Sequence, residues 1–110
     1  MNFKVVTLPG FEKSTKKLTK KYPSLKNDLL ELVGNLEKNP VQGTPLGNDF
    51  YKIRVSIKSK GKGKSGGSRV ITCVKIIKAV VYLSAIYDKS EQSSVTDAEL
   101  KFFAKQINVL

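Results

Sequence analysis

From Ala79 to Tyr87 the chain is apolar at almost every position. A half-buried strand alternates apolar and polar residues, so a run apolar on both faces belongs inside a sheet rather than at its edge. The run before it, Arg69 to Ile77, is equally rich in β-formers, and the two read as neighbouring strands. The remaining segments have to supply the rest of that sheet and its cover.

Phe3 to Leu8 reads as a first strand, broken by Pro9-Gly10. Phe11, Thr15, Leu18 and Tyr22 then fall on one helical face, with lysines on the other. After Pro23-Ser24, a second helical stripe holds Leu25, Leu29, Leu32, Val33 and Leu36, and Asn39-Pro40 ends it. The two helices are expected to form an antiparallel hairpin, with Gly34 available for close packing. Residues 41–49 hold Gly43, Pro45 and Gly47 and read as a loop. Tyr51, Ile53, Val55 and Ile57 alternate with Lys52, Arg54, Ser56 and Lys58, a strand with one apolar and one basic face. A Lys/Gly/Ser loop follows, up to Gly67. Near the end, Thr96-Asp97-Ala98-Glu99 fits a capping box, so a final helix is expected over 97–106. The order β-α-α-β-β-β-α predicts an α+β fold, a helical hairpin packed on a curled, mainly antiparallel sheet. With 110 residues and 40% hydrophobic content, one domain over 1–110 is expected.

The net charge is +11, from 20 basic and 9 acidic residues, and it is unevenly spread. Between Phe50 and Tyr87 there are nine basic residues and no acid, while the rest of the chain carries eleven basic and nine acidic residues, a net of +2. A merely soluble surface intersperses both signs. An anionic partner is implied, with nucleic acid the default, and no helix pairs a basic face with a broad aromatic one as a membrane surface would require. No apolar run approaches the length that spans a bilayer, and Met1 to Leu8 does not read as a signal peptide, so a cytoplasmic protein is expected.

Several chemistries are disfavoured by residue supply. There is no histidine, and the single cysteine, Cys73, sits within an apolar run and reads as a buried strand thiol. Scattered carboxylates offer no metal-site pattern. Asp88 and Glu91 read as surface residues of a polar turn. The segment Gly61-Lys62-Gly63-Lys64-Ser65-Gly66-Gly67 invites a phosphate-loop reading, but Lys58 stands where the first glycine is needed, and a strand follows rather than a helix. It reads instead as a cationic loop that grips a phosphate backbone through Lys58, Lys60, Lys62 and Lys64. Lys52 and Arg54 share one strand face, and Arg69 opens the next strand, so a hairpin could bring three cations together. Such crowding is costly unless an anion occupies the site. Lys75 and Lys78 are expected to add only to the general field. Tyr87, at a strand end, reads either as a core tyrosine with a wet tip or as a stacking or proton-handling residue.

Taken together, Tyr51-Lys52-Ile53-Arg54, the segment from Gly61 to Ile71, Tyr82-Leu83 and Ile86-Tyr87-Asp88-Lys89-Ser90-Glu91 resemble the RelE/ParE toxin superfamily, and most closely its RelE- and HigB-type toxins. The resemblance covers nearly the whole chain. It implies a toxin of a type II toxin–antitoxin pair that cuts messenger RNA on the translating ribosome and is silenced by a cognate antitoxin, with no metal or small-molecule cofactor. By motif, Lys52 and Arg54 match the family's basic pair, Arg69 matches the arginine opening the next strand, and Lys89 matches the basic residue after the last strand. Ser90 and Thr96 depart from the family pattern, standing where RelE has an arginine and a tyrosine, and Tyr87 or Lys89 would then substitute. The implied roles are proton transfer by Lys52 and phosphate stabilisation by Arg54 and Arg69. Competing expectations are a ParE-like toxin that inhibits DNA gyrase without cutting RNA, and a plain basic nucleic-acid-binding module.

Overall fold

The computed structural model describes residues 2–61 and 63–110. Strand β1 (Lys4–Thr7) leads into helices α1 (Pro9–Lys21) and α2 (Leu25–Lys38). Strands β2 (Thr44–Gly47) and β3 (Phe50–Val55) follow, then a 3-10 turn at Lys58–Lys60, strands β4 (Ser68–Lys75) and β5 (Val80–Asp88), and helix α3 (Asp97–Asn108). The five strands form one sheet in the order β1-β5-β4-β3-β2. All neighbours are antiparallel except β1, which runs parallel to β5. The expected α+β architecture is borne out, with the two apolar runs, β4 and β5, inside the sheet.

Each face of the sheet has its own core. Alternation in β3 and β4 sends Ile53, Val55, Val70 and Val74 to one side, where they meet Phe11 and Leu18 of α1 and Leu25, Leu29, Leu32 and Leu36 of α2. Phe50, Ile71 and Cys73 go to the other side and meet Phe103 and Ile107 of α3. Phe50 and Phe103 lie with ring centroids 6.5 Å apart in a tilted pair. Cys73 is buried as expected, and burial pushes its thiol pKa up, which makes it a poor nucleophile. Pro9 opens α1, where a missing N–H costs nothing, and Lys20 and Lys21 in its last turn complement the helix dipole. The capping box forms at α3: Thr96 Oγ1 accepts from the Glu99 N–H at 3.1 Å, and the Thr96 N–H donates to Glu99 Oε1 at 2.9 Å.

Two local expectations are corrected. The segment read as a loop contains β2, an edge strand pairing Thr44 with Lys52 and Pro45 with Tyr51. Proline and glycine hide it in the sequence, yet an edge strand tolerates both because one of its sides needs no partner. Gly34 serves no close approach, since a Cβ there would meet nothing within 4 Å. In β5 the structure adds a feature that the sequence reading did not address. The register runs Ile71 with Ala85 and then Thr72 with Leu83, leaving Ser84 without a partner on β4. This bulge reverses the alternation: Tyr82 lies on the α3 side and Leu83 on the hairpin side, but beyond Ser84 it is Ala85 and Tyr87 that face α3 and Ile86 that faces the hairpin.

Where the loop after the 3-10 turn re-enters the sheet, Gly67 lies so close to β3 that a Cβ would run into the Val55 carbonyl oxygen and the Ser56 Cα. Those are backbone atoms and cannot step aside. Gly67→Ala is expected to destabilise the fold by about 2 kcal/mol, as overpacking does, while Gly34→Ala should leave stability unchanged or raise it. Paired urea denaturation curves check this; equal midpoints for the two variants would contradict the close approach.

Candidate nucleic-acid interface

The register of three strands builds the site. Arg54 of β3 pairs with Arg69 of β4, and Arg69 pairs with Tyr87 of β5, so the three residues form one rung across the sheet. All three are on the α3 side, Tyr87 because of the Ser84 bulge. Lys52 lies one step along the same face, opposite Ile71. The apolar cover from α3 reaches Phe50, Ile71 and Tyr87, and the polar end of that face begins at Lys52 and Arg54. The crowding expected of Arg69 with Arg54 is therefore present as a direct cross-strand pair of like charges, which is unfavourable in the absence of an anion.

The members of the rung differ in exposure. Arg54 is exposed and Lys52 partly so, its Nζ 3.5 Å from Ser94 Oγ as donor. Tyr87 is 7% exposed and its hydroxyl donates weakly to the Ser93 carbonyl at 3.4 Å. Burial pushes the Tyr87 phenol pKa up, against smaller opposing effects of Ser94 and the Arg69 charge. The phenol is thus protonated at neutral pH and can donate a proton rather than accept one. Arg69 is only 4% exposed. Its guanidinium donates to the carbonyls of Lys64 at 2.9 Å, Ser68 at 3.1 Å and Ser65 at 3.3 Å.

Beyond Lys52, β2 no longer covers β3, and a cleft of about 550 Å³ opens beside that free edge. Lys52, Arg54, Lys58 and Lys64 line it, with Asp28 and Glu31 of α2 on the far wall. The volume falls within the range that accommodates a small ligand or one nucleotide.

The loop lysines do not behave alike. Lys58 bridges Glu31 at 3.2 Å with both side chains well exposed, a contact of little energetic weight. Lys60 turns away from the cleft and pairs with Asp88 at 2.7 Å, its side chain 12% exposed. Lys64 is exposed and, among the described residues, has no carboxylate partner. Lys62 lies outside the described residues. Lys89 is exposed just past β5, its backbone N–H donating to the Gly67 carbonyl at 3.0 Å, and it stands beside the rung rather than in it. Among the described residues no three His, Cys, Asp or Glu side chains converge as metal ligands would, and no helix is long and apolar enough to cross a membrane.

Asp88 is the residue that sequence reasoning misplaced. It is 1% exposed, not a surface acid, because the Ser84 bulge turns it toward the hairpin. Its carboxylate accepts from Tyr22 at 2.5 Å, Lys60 at 2.7 Å, Ser90 Oγ at 2.8 Å and the Ser90 N–H at 3.0 Å. Burial alone would raise its pKa, but these donors, Lys60 first, hold it well below the usual carboxylate range, and the same bond raises the pKa of Lys60. Asp28 adds a second tie: Oδ2 accepts from Ser24 Oγ at 2.8 Å and from the Lys58 N–H at 3.2 Å, and Ser24 Oγ accepts from the Ser59 N–H at 2.8 Å. The turn between α1 and α2 thereby fixes the start of the basic loop. The one available signal was that Asp88 is the acid that ends an acid-free stretch.

A carboxylate with a depressed folded-state pKa stabilises the fold fully above its unfolded pKa of about 4, and that stability is lost as pH falls through the folded value. Asp88→Asn should therefore lower stability at pH 7 by about 3 kcal/mol, the cost of breaking a buried pair. Its difference from the wild type should shrink as pH is taken from about 4 toward 2. Denaturant unfolding across that range checks this, and a difference independent of pH would rule out the carboxylate as the cause.

Comparison with known proteins agrees with the geometry. A family model described as the RelE toxin of the RelE/RelB toxin–antitoxin system matches residues 10–109. Among solved structures, the free state of a double arginine-to-alanine mutant of the Escherichia coli toxin RelE superposes with a TM-score of 0.64 at 17% identity, covering 97% of this chain and 99% of that one. The isolated E. coli RelE toxin superposes with a TM-score of 0.52 at 21% identity, with the same coverage. At these identities the structures speak for the fold, while the family match spans nearly the full length. This chain belongs to the RelE toxin family of toxin–antitoxin systems.

Proposed function

We propose that this chain, as one toxin domain acting in the cytoplasm, cuts messenger RNA on the translating ribosome and is held in check by a cognate antitoxin. The observation that carries this reading is the rung Arg54–Arg69–Tyr87 with Lys52 beside it, a cation cluster next to a protonated phenol at the open end of one sheet face. RNA can be cleaved without a metal by attack of its own 2′-hydroxyl on the adjacent phosphate. The reaction needs a proton acceptor, positive charge for the phosphorane, and a donor for the leaving 5′-oxygen. Arg54, exposed on the rung, stabilises the phosphorane, while Arg69, its guanidinium taken up by loop carbonyls, orders the loop beside it. Lys52 moves the proton from the 2′-hydroxyl, and Tyr87 supplies a proton or stacks a base. Lys89 adds charge where the RNA leaves the rung, and Lys58, Lys62 and Lys64 hold its backbone or that of the ribosome. Lys60, paired with Asp88, contributes order rather than free charge. The antitoxin would cover this face with an acidic segment, since a free cationic surface binds RNA indiscriminately.

In a translating extract, the wild-type protein is expected to yield discrete breaks within messages, mapped by primer extension. Lys52→Ala or Arg54→Ala should slow cutting by about 100-fold, as removal of one transition-state donor does. Translation arrested with intact messages would defeat the nuclease reading. Inhibition of gyrase supercoiling in the same preparation would then replace it with a gyrase-directed one.

A further inference from the structure

A buried guanidinium needs partners, and among the described residues no carboxylate pairs with Arg69. Its partners are three backbone carbonyls, those of Lys64, Ser65 and Ser68. Two of these belong to the glycine-rich loop, which folds back over the start of β4. Gly61 and Gly63 make that return possible by taking positive φ, 72° and 62°, a conformation other residues rarely adopt. The Arg69 guanidinium does not line the cleft either: the cations that do are Lys52, Arg54, Lys58 and Lys64. An RNA phosphate approaching this end of the sheet meets Arg54 and Lys64, both exposed, before it meets a guanidinium already occupied by the protein.

We propose that Arg69 is a positioning residue: it ties down residues 64–65 so that the Lys64 side chain stands over the cleft, where Lys64, Lys52 and Arg54 together receive an RNA phosphate. Arg69 acts through the loop rather than on the phosphate. The ends of this loop are held independently, by Asp28 and Asp88 at the 3-10 turn and by Gly67 packed against β3, so Arg69 fixes the middle. Arginine suits the task because its planar fork reaches several carbonyls at once, whereas a lysine ammonium is a compact point charge. This inference rests on the reading of RNA as the bound polyanion.

The test uses the full chain and a short fluorescent single-stranded RNA, with affinity measured against salt. Each phosphate contact to single-stranded RNA contributes about 0.7 to the slope of log K against log salt. Lys64→Ala is expected to lower the slope by about 0.7. Arg69→Ala should lower it by the same amount, and the double variant by no more than either single one, since both remove one contact. Arg69→Lys, which keeps the charge, should behave as Arg69→Ala. A double-variant loss near 1.4 would overturn the proposal, because it marks two independent phosphate contacts. So would a wild-type slope in Arg69→Lys, or unchanged binding in Lys64→Ala, an exposed position whose loss leaves the fold intact. Amide hydrogen exchange separates the anchor from the RNA reading. Exchange at residues 63–66 should quicken in Arg69→Ala and Arg69→Lys but not in Lys64→Ala, with β4 and β5 still protected. Unchanged loop exchange in the Arg69 variants refutes the anchor. Salt-independent or absent RNA binding by the wild type, with faster loop exchange in the variants, refutes RNA as the ligand and leaves the anchor standing.

Discussion

Ser84 stands in β5 without a partner on β4, and every residue after it faces the opposite way from where simple alternation would send it. Two neighbouring side chains acquire their roles from that reversal. Tyr87 is turned to the α3 face, where it completes the rung with Arg69 and Arg54. Asp88 is turned to the hairpin face, where Tyr22, Lys60 and Ser90 converge on its carboxylate. With strict alternation the phenol would face the helical hairpin, and the carboxylate would lie on the cationic face. The bulge therefore removes a negative charge from the cation row as it adds a proton donor to it.

Net charge is a coarse guide to what such a surface offers a polyanion. Seven of the nine cations between Phe50 and Tyr87 divide by partner once the fold is known. Lys60 is neutralised by Asp88, Lys58 is matched by Glu31, and Lys75 is matched by Asp49 at 3.4 Å. Arg69 is occupied by carbonyls. Arg54 and Lys64, with Lys52 beside them, retain their field over the cleft. Carboxylates from outside the acid-free stretch thus prune it, and those that do so come from α2, the turn before β3 and the end of β5.

Periodicity made most of the architecture legible. The leucine stripe of α2, the alternation of β3 and the capping box at Thr96 each rest on local spacing, and the strand positions of Arg54 and Arg69 followed from it. What stayed hidden depends on pairing between distant segments. β2 carries proline and glycine and is a strand only because β3 offers it an edge. Ser84 is a bulge only by the register of β4 against β5. The misplacement of Asp88 follows directly, since its face is set by the bulge. The loop carbonyls that occupy Arg69 had no sequence signature either, because a backbone acceptor has no residue type.

The parallel pairing of β1 with β5 joins residues 4–7 to residues 80–83. The earliest strand in the chain is thus matched with the last one made, and such distant pairings form late and slowly. During synthesis, α1 and α2 can assemble while β1 still has no neighbour, and β3 and β4 can pair before Tyr87 has joined them. The cation row is therefore among the last features of the chain to be completed. For most of its own translation the chain therefore carries the parts of that row without the strand that aligns them.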